Sequence, residues 1–402
     1  MPKSLPVNTQ QIKEILSRNV AEVVIKKELE AKLLSGKQLR IKLGIDPTGA
    51  YLTLGHMVVI RKLREFQIAG HQIVLLFGNF TAQIGDPTGK SATRKPLSVE
   101  QITENAKTYL DQVGKVLDLK KTEVVWNADW LGKFKFDDVL KLASNFTVAQ
   151  MLERDMFQER IKKDQPIGLH EFLYPLMQGY DSVEIRADLE LGGTDQLFNM
   201  LAARPLQKAA NQPEQSVMTM KILVGTDGIK KMGKSDGNFI AVLDEPSEMF
   251  GKIMSIPDDI ILNYFELCTN ISLKELGEIE KRLKSGQNPR DIKIELAKNI
   301  VTTYHSEQAA TQAAEQFSQV FSQGGVPDDL ETIIINNSPK GLIELLLENK
   351  LVSSKGEAKR LIDGGGIKVD QKKVQDYNLQ LDLTEEKLIQ IGKRVFVKFK
   401  SV

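Results

Sequence analysis

Cysteine is almost missing. Only Cys268 occurs among 402 residues, so an intramolecular disulfide is excluded. The four histidines, His56, His71, His170 and His305, are too scattered to suggest a zinc site, and no metal site is expected. No run approaches the ~20 apolar residues that cross a bilayer, and Met1 to Gln10 lacks the charged and then apolar pattern of a signal peptide. A cytoplasmic protein with no membrane partner is the expectation. Strong charge of one sign is also lacking, since the net charge is +1. Its distribution is uneven, however. From Lys340 onward 13 Lys or Arg face 9 Asp or Glu, which marks either a nucleic-acid surface or an ordinary solvated face with surplus lysine.

What is present fits a globular chain of the α/β class. Hydrophobic residues make up 41% and charged residues 27%, and the length exceeds what one core holds, so two or three domains are expected. Leu39 to Ile45 reads as a strand, Leu54 to Ile68 as an amphipathic helix, and Gln72 to Phe77 as a second strand, which together make a βαβ unit of a parallel sheet. Glu123 to Trp126 reads as a further strand and Phe136 to Lys163 as helices. Ligands gather at the carboxyl ends of such strands, where the turns at Gly44, Gly78 and Gly85 fall. Beyond Glu245 the pattern is helical, around Ile260 to Leu267, Leu273 to Leu283, Asp291 to His305 and Ser306 to Phe321. Gly324 to Pro327 breaks it. The expected division is therefore residues 1–244, 245–325, a linker at 326–339, and a small α+β domain at 340–402.

Two clusters suit a polyphosphate. Gly44-Ile45-Asp46-Pro47-Thr48 followed by Thr53-Leu54-Gly55-His56 turns a strand into a helix N-terminus with free N–H groups, a hydroxyl and an imidazole. Gly225 to Ser235 carries Lys230, Lys231 and Lys234 between glycines, so its charges repel one another until an anion arrives. Each has a bland alternative, a packing glycine in the first and a basic turn in the second. On a third segment, Tyr174, Gln178 and Asp181 are spaced i, i+4 and i+7, which places them on one helical face. That stripe is equally a solvated side when taken alone.

Thr53-Leu54-Gly55-His56 and Lys231-Met232-Gly233-Lys234-Ser235 resemble the ATP-binding signatures His-Ile-Gly-His and Lys-Met-Ser-Lys-Ser of class I aminoacyl-tRNA synthetases. Tyr174 to Asp181, with Gly192-Gly193-Thr194-Asp195-Gln196 and Gly85-Asp86-Pro87-Thr88-Gly89-Lys90 plus Arg94, is similar to the amino-acid and ribose segments of the tyrosyl branch. That resemblance implies a Rossmann-like catalytic domain with a dimer-interface insertion, then a helical anticodon-binding domain. It assigns the tyrosine site to Lys42, Gly44, Asp46, Thr81, Asp86, Tyr174, Gln178, Asp181 and Gln196, with Asp181 accepting the phenol proton and Tyr174, Gln178 and Asp86 around the α-ammonium. ATP falls to Gly55, His56, Gly193, Asp195, Lys231, Met232, Lys234 and Ser235. The phosphate-handling residues are Thr48, Thr53, His56, Lys90, Arg94, Lys231 and Lys234.

Departures from the pattern carry expectations of their own. Thr53 replaces a histidine and would donate one hydrogen bond to a phosphate, while Gly233 replaces a serine and loosens the loop. Lys42 stands where the better-known branch has a tyrosine. A lysine only donates, so Lys42 and Asp181 would supply a donor and an acceptor to one phenol. Ser353 to Ile362 with Gly364 to Val369 resembles the RNA-binding module named after a small-subunit ribosomal protein, which implies phosphate contacts from Lys355, Lys359, Arg360 and Lys368. The activity implied is two-step charging of tRNA(Tyr) with L-tyrosine. ATP enters as a substrate with Mg2+, no cofactor is tightly bound, and a homodimer joins through helices around Phe146 to Ile161. Two rivals stay open at this point, a tryptophanyl-tRNA synthetase and a non-catalytic RNA-binding or splicing protein on the same fold.

Overall fold

Gln72–Phe77 is apolar after its first residue and buried from its second onward, as a central strand of a parallel sheet must be when both faces are covered. In the computed structural model, which describes residues 5–86, 98–322, 330, 332–335, 338–392 and 395–401, it lies inside a six-stranded sheet. The strands are β1 (Val20–Val24), β2 (Arg40–Ile45), β3 (Gln72–Phe77), β4 (Thr122–Trp126), β5 (Leu189–Gly193) and β6 (Ser216–Met220). Their order is β1-β6-β5-β2-β3-β4, parallel throughout except for β1 against β6. The sequence reading located β2, β3 and β4 to within a residue. It passed over β1, β5 and β6 as strands.

The βαβ unit is present as β2, helix α1 (Leu54–Ile68) and β3. Helix α1 buries Leu54, Met57, Ile60, Leu63 and Phe66, the recurring spacing of a face turned to a core. Helix α2 (Leu169–Glu184) packs on the helices Leu197–Leu201 and Ala203–Ala209. Its closest approach needs Gly179, because a Cβ there would stand 3.0 Å from the Ala202 and Ala203 backbone. The expected helical stretch after Phe136 is three helices, Phe136–Ala143, Val148–Leu152 and Asp155–Lys162. After Glu245 come Pro246–Met254, Ile261–Cys268, Leu273–Lys284, Pro289–Tyr304 and Glu307–Ser322.

The chain divides into two compact units, Met1–Ala314 and Glu315–Val402. The second has its own core of Leu342, Leu345, Leu346, Ile362, Ile389 and Phe399. Its sheet runs Lys372–Lys373, Ile367–Val369, Lys387–Ile391, Val395–Ser401 and Thr332–Ile335. The stretch read as linker is corrected in part: Thr332–Ile335 pairs in parallel with Val395–Ser401, because Ile333 and Ile335 pack onto the core.

Candidate active site

A cavity of about 380 Å³ opens where β2, β5 and β6 end, at the carboxyl edge of the parallel strands. Gly44 and Asp46 from the end of β2, Gly193 from β5, and Tyr174, Gln178 and Asp181 from one face of α2 all line it. The i, i+4, i+7 spacing thus faces the cavity and not solvent.

At its floor Asp181 is 2% exposed. Trp130 Nε1 donates to its Oδ1 at 2.8 Å and Asn127 Nδ2 to its Oδ2 at 3.3 Å. Burial pushes the carboxyl up to about 7, while the nearby Lys42 charge and the two donors pull it down. Asn127 also donates to Thr81 Oγ1 at 3.0 Å, and Thr81 Oγ1 donates to Asp46 Oδ1 at 2.8 Å. The Tyr174 hydroxyl donates to Asp46 Oδ2 at 2.8 Å. Burial, then the Asp46 and Asp86 charges, hold Tyr174 well above the usual phenol range, so it stays a donor. Gly78 is required under this network, since a Cβ would fall 1.9 Å from Asp46 Oδ1 and 2.3 Å from Thr81 Oγ1.

Beside Tyr174, Asp86 accepts from Gln196 Nε2 at 2.7 Å, and Arg154 NH2 stands 3.6 Å from its other oxygen. Arg154 is 6% exposed and lies over the rings of Phe157 and Phe198. Sequence reasoning missed it, because nothing local connects an arginine between two short helices with a carboxylate 68 positions earlier. Asp46, Asp86, Tyr174 and Asp181 all line the cavity, so its wall carries three carboxyl groups beside the Tyr174 hydroxyl.

The expectation for Lys42 is corrected. Its side chain is fully buried and does not line the cavity. Its ammonium donates to Gln178 O at 2.9 Å and Ser182 Oγ at 2.8 Å, and pairs with Glu190 Oε1 at 3.0 Å. Three donors meet three protein acceptors, so none remains for a phenol. Glu190, a cavity residue that sequence reasoning also missed, further accepts from Gln178, Ser182 and Gln215.

At the other end of the cavity Thr53 caps α1. The Thr53 backbone N–H, which can only donate, stands 3.1 Å from His56 Nδ1, so the ring proton sits on Nε2. His56 is exposed at the cavity rim, where the enclosing protein and the Lys234 and Lys231 charges hold the imidazole below its usual range and favour the neutral ring. The Thr53 hydroxyl lies 2.8 Å from the same Nδ1 and is 1% exposed. Its expected phosphate bond is therefore corrected: the hydroxyl is turned onto His56. Gly55 and Thr48 border the same end, and Met232 packs across Gly55, whose Cβ would stand 3.7 Å from the methionine Cβ.

The lysine loop meets its own partners. Lys231 Nζ lies 2.6 Å from Asp195 Oδ2 and Lys230 pairs with Asp236 at 2.9 Å. Lys234 Nζ stands 4.5 Å from the Tyr51 ring centre. Asn238 gathers the loop, accepting from Gly233 N at 2.9 Å and donating to Asp227 Oδ2 at 2.9 Å. Lys231, Met232, Asp195 and Gln196 line the cavity, whereas Lys234 and the exposed Ser235 stand outside its wall. Lys90 and Arg94 lie outside the described residues. Among the described residues no cluster of His, Cys, Asp or Glu is arranged to hold a metal.

In the second unit Lys355, Lys359 and Arg360 are exposed on the helix Lys355–Asp363, while Ala358 and Ile362 of the same helix are buried. Lys368 is half-buried on Ile367–Val369.

Residues 34–322 match the family described as tRNA synthetases class I (W and Y), and residues 321–396 match the tyrosine–tRNA ligase SYY-like C-terminal domain. The chain is 50% identical over 396 residues to a tyrosine–tRNA ligase of Carboxydothermus hydrogenoformans, covering 96% of each chain. It is 47% identical over 393 residues to that of Thermotoga maritima, covering 98% of each. Among solved structures, tyrosyl-tRNA synthetase from Archaeoglobus fulgidus complexed with L-tyrosine aligns with TM-score 0.62 and 27% identity over 76% of this chain and 99% of that one. A C-terminally truncated Aspergillus nidulans mitochondrial tyrosyl-tRNA synthetase aligns with TM-score 0.65 over 78% and 93%, and at 21% identity it speaks to the fold alone. A Rossmann-like parallel sheet with the paired signatures at its carboxyl edge, and family matches that together span residues 34–396, give one result: the chain belongs to the class I tRNA synthetases of the tryptophan and tyrosine (W and Y) family.

Proposed function

We infer that the chain is a tyrosine–tRNA ligase, which activates L-tyrosine with ATP and transfers the tyrosyl group to the 3′ end of tRNA(Tyr). The observation that carries the choice of amino acid is Asp181, a buried acceptor at the cavity floor with two neutral donors orienting it. In the first step the tyrosine carboxylate oxygen bonds to the α-phosphorus and pyrophosphate leaves. In the second, the terminal ribose hydroxyl attacks the activated carbonyl and AMP leaves. Neither step needs a protein nucleophile, so rate enhancement comes from positioning and from charge stabilisation. Asp181 accepts a hydrogen bond from the phenol, while Tyr174, Gln178 and Asp86 surround the α-ammonium. His56 offers its Nε2 proton to a phosphate, Lys231 and Lys234 meet the leaving pyrophosphate, and Asp195 and Gln196 orient ribose and substrate. Magnesium arrives with ATP, held by phosphates and water as that ion prefers.

The residues after Lys340 form the RNA-binding module and those from 245 to 325 the anticodon-binding domain. The homodimer reading is supported by Phe136, Leu140, Val148, Ile161 and Leu169, large apolar side chains left exposed on neighbouring helices, Leu169 at 83%. Sedimentation of a Val148→Glu, Leu169→Glu variant as a monomer tests it. We place the activity in the cytoplasm, where tRNA is charged. ATP–pyrophosphate exchange with each of the twenty amino acids tests the assignment. Tyrosine alone should support exchange; tryptophan would establish the rival synthetase, and no exchange would establish a non-catalytic protein.

A further inference from the structure

In the wall of the amino-acid cavity, which Glu190 lines, lies a buried charged network that the reaction itself does not call for. Lys42 on β2 and Glu190 on β5 are register partners on adjacent parallel strands, and their side chains are 0% and 2% exposed. Such a pair is an expensive way to stabilise a fold, because desolvating two charges cancels most of their attraction. Its geometry shows what the cost obtains. Glu190 receives four donors: Lys42 Nζ at 3.0 Å and Gln178 Nε2 at 3.2 Å on Oε1, Ser182 Oγ at 3.1 Å and Gln215 Nε2 at 2.6 Å on Oε2. Lys42 in turn fastens the Gln178 main-chain carbonyl and the Ser182 hydroxyl.

A carboxamide has a donor end and an acceptor end of nearly equal shape, and only its neighbours decide which way it faces. A carboxylate paired with a lysine accepts only. It therefore claims the N–H end of Gln178 and leaves the carbonyl end to face the cavity, which Gln178 lines. A cavity ligand then meets an acceptor at this position, and an ammonium is a pure donor. We propose that Glu190, with Lys42 as its counter-charge, is a positioning residue that fixes the Gln178 carbonyl toward the substrate α-ammonium and so helps select an amino acid over its des-amino analogue. This inference rests on the assignment of Gln178 to the α-ammonium made above.

The test compares two inhibitors that differ only in that group, L-tyrosinol and 3-(4-hydroxyphenyl)propan-1-ol. Both carry the phenol, so any change at Asp181 cancels in the ratio of their dissociation constants. Glu190→Gln lets either end of the Gln178 amide face the cavity, and the preference for tyrosinol should fall by roughly tenfold or more, the worth of one hydrogen bond to a charged group. Because that variant leaves Lys42 without a counter-charge, a second one, Lys42→Met with Glu190→Met, removes both charges together. It should fold and show the same loss. Gln178→Met separates the two assignments. If Gln178→Met loses the preference while the folded double variant keeps it, or if both inhibitors weaken equally, Glu190 is merely structural and the proposal is overturned. If Gln178→Met itself keeps the preference, the Gln178 assignment fails and the proposal falls with it.

Discussion

The Lys231 ammonium stands 2.6 Å from Asp195 Oδ2, so the residue assigned to pyrophosphate and the residue assigned to ribose occupy each other in this structure. Their side chains are 55% and 33% exposed. An ion pair that open to water is worth at most about 1 kcal/mol, so an arriving triphosphate with a ribose hydroxyl replaces it at little cost. On the proposed function, Lys231 then acts as charge develops on the leaving group. Lys231→Ala should lower the single-turnover rate of tyrosyl-adenylate formation by roughly 10- to 100-fold, with tyrosine affinity within about twofold of the parent. Stopped-flow adenylate formation and equilibrium tyrosine binding measure the two quantities. An unchanged rate would remove Lys231 from the reaction.

What the sequence made legible, and what it hid, follows from how far apart the partners lie. The face formed by Tyr174, Gln178 and Asp181 was readable because helical spacing is local, and α1 and β3 were readable for the same reason. The bonds that give those residues meaning are not local: Tyr174 meets Asp46 across 128 positions and Trp130 meets Asp181 across 51. Lys42 shows a subtler failure. It lies on the same side of β2 as Gly44, whose Cβ would stand 4.0 Å from the lysine Cε. Two residues along a strand also change depth by ~6–7 Å, and that puts the ammonium beneath the cavity wall instead of inside it. Glu190 and Arg154 had no local signal at all, since a buried charge is recognised only by the partner the fold brings to it.

Asp181 gives a pH dependence with a definite sign. Its carboxyl is held up to about 7 by burial, so below that pH it is mostly protonated and loses the charge that makes it a strong acceptor for the phenol. The kcat/KM for tyrosine should therefore rise with pH through about 7 and level off above it, before the substrate phenol itself titrates. The Trp130 N–H favours the ionised form. Trp130→Phe should move the midpoint upward by roughly one pH unit, the equivalent of one lost hydrogen bond to a charged group. A midpoint unmoved, or moved to lower pH, would show that Trp130 does not act on this carboxylate.

His56 separates a structural bond from a chemical one, because its two ring nitrogens face different ways. Nδ1 takes the Thr53 N–H at the start of α1, which leaves the proton on Nε2, the atom proposed to meet a phosphate. An asparagine oxygen reaches about where Nδ1 lies but places nothing at Nε2. His56→Asn should keep the cap, with thermal stability nearly unchanged, yet slow adenylate formation by roughly 10- to 100-fold through loss of one donor to a charged group. His56→Ala should also destabilise by about 1 kcal/mol through loss of the cap. Since the enclosing protein and the Lys234 and Lys231 charges disfavour the imidazolium, the parent's rate should show no histidine titration between pH 6 and 8.

The C-terminal unit is proposed to touch RNA alone, and its helix Lys355–Asp363 gives a clean way to examine that. Ala358 and Ile362 are buried in the core of that unit, whereas Lys355, Lys359 and Arg360 are exposed and leave the packing intact if replaced. The side chains contribute as charges, displacing counterions from phosphates, so their effect appears in the salt dependence of binding more clearly than in affinity at one ionic strength. Replacing all three by alanine should leave ATP–pyrophosphate exchange with tyrosine unchanged, because that reaction involves no RNA. Binding of tRNA should weaken, and the slope of log K against log salt should shallow by roughly two to three, a little under one for each lost phosphate contact. Filter binding across a salt series, run beside the exchange assay, measures both. If exchange falls as well, these residues serve the folded enzyme and not the RNA. If affinity falls while the slope holds, the three residues do not meet phosphates and the helix is not the RNA-facing surface of this unit.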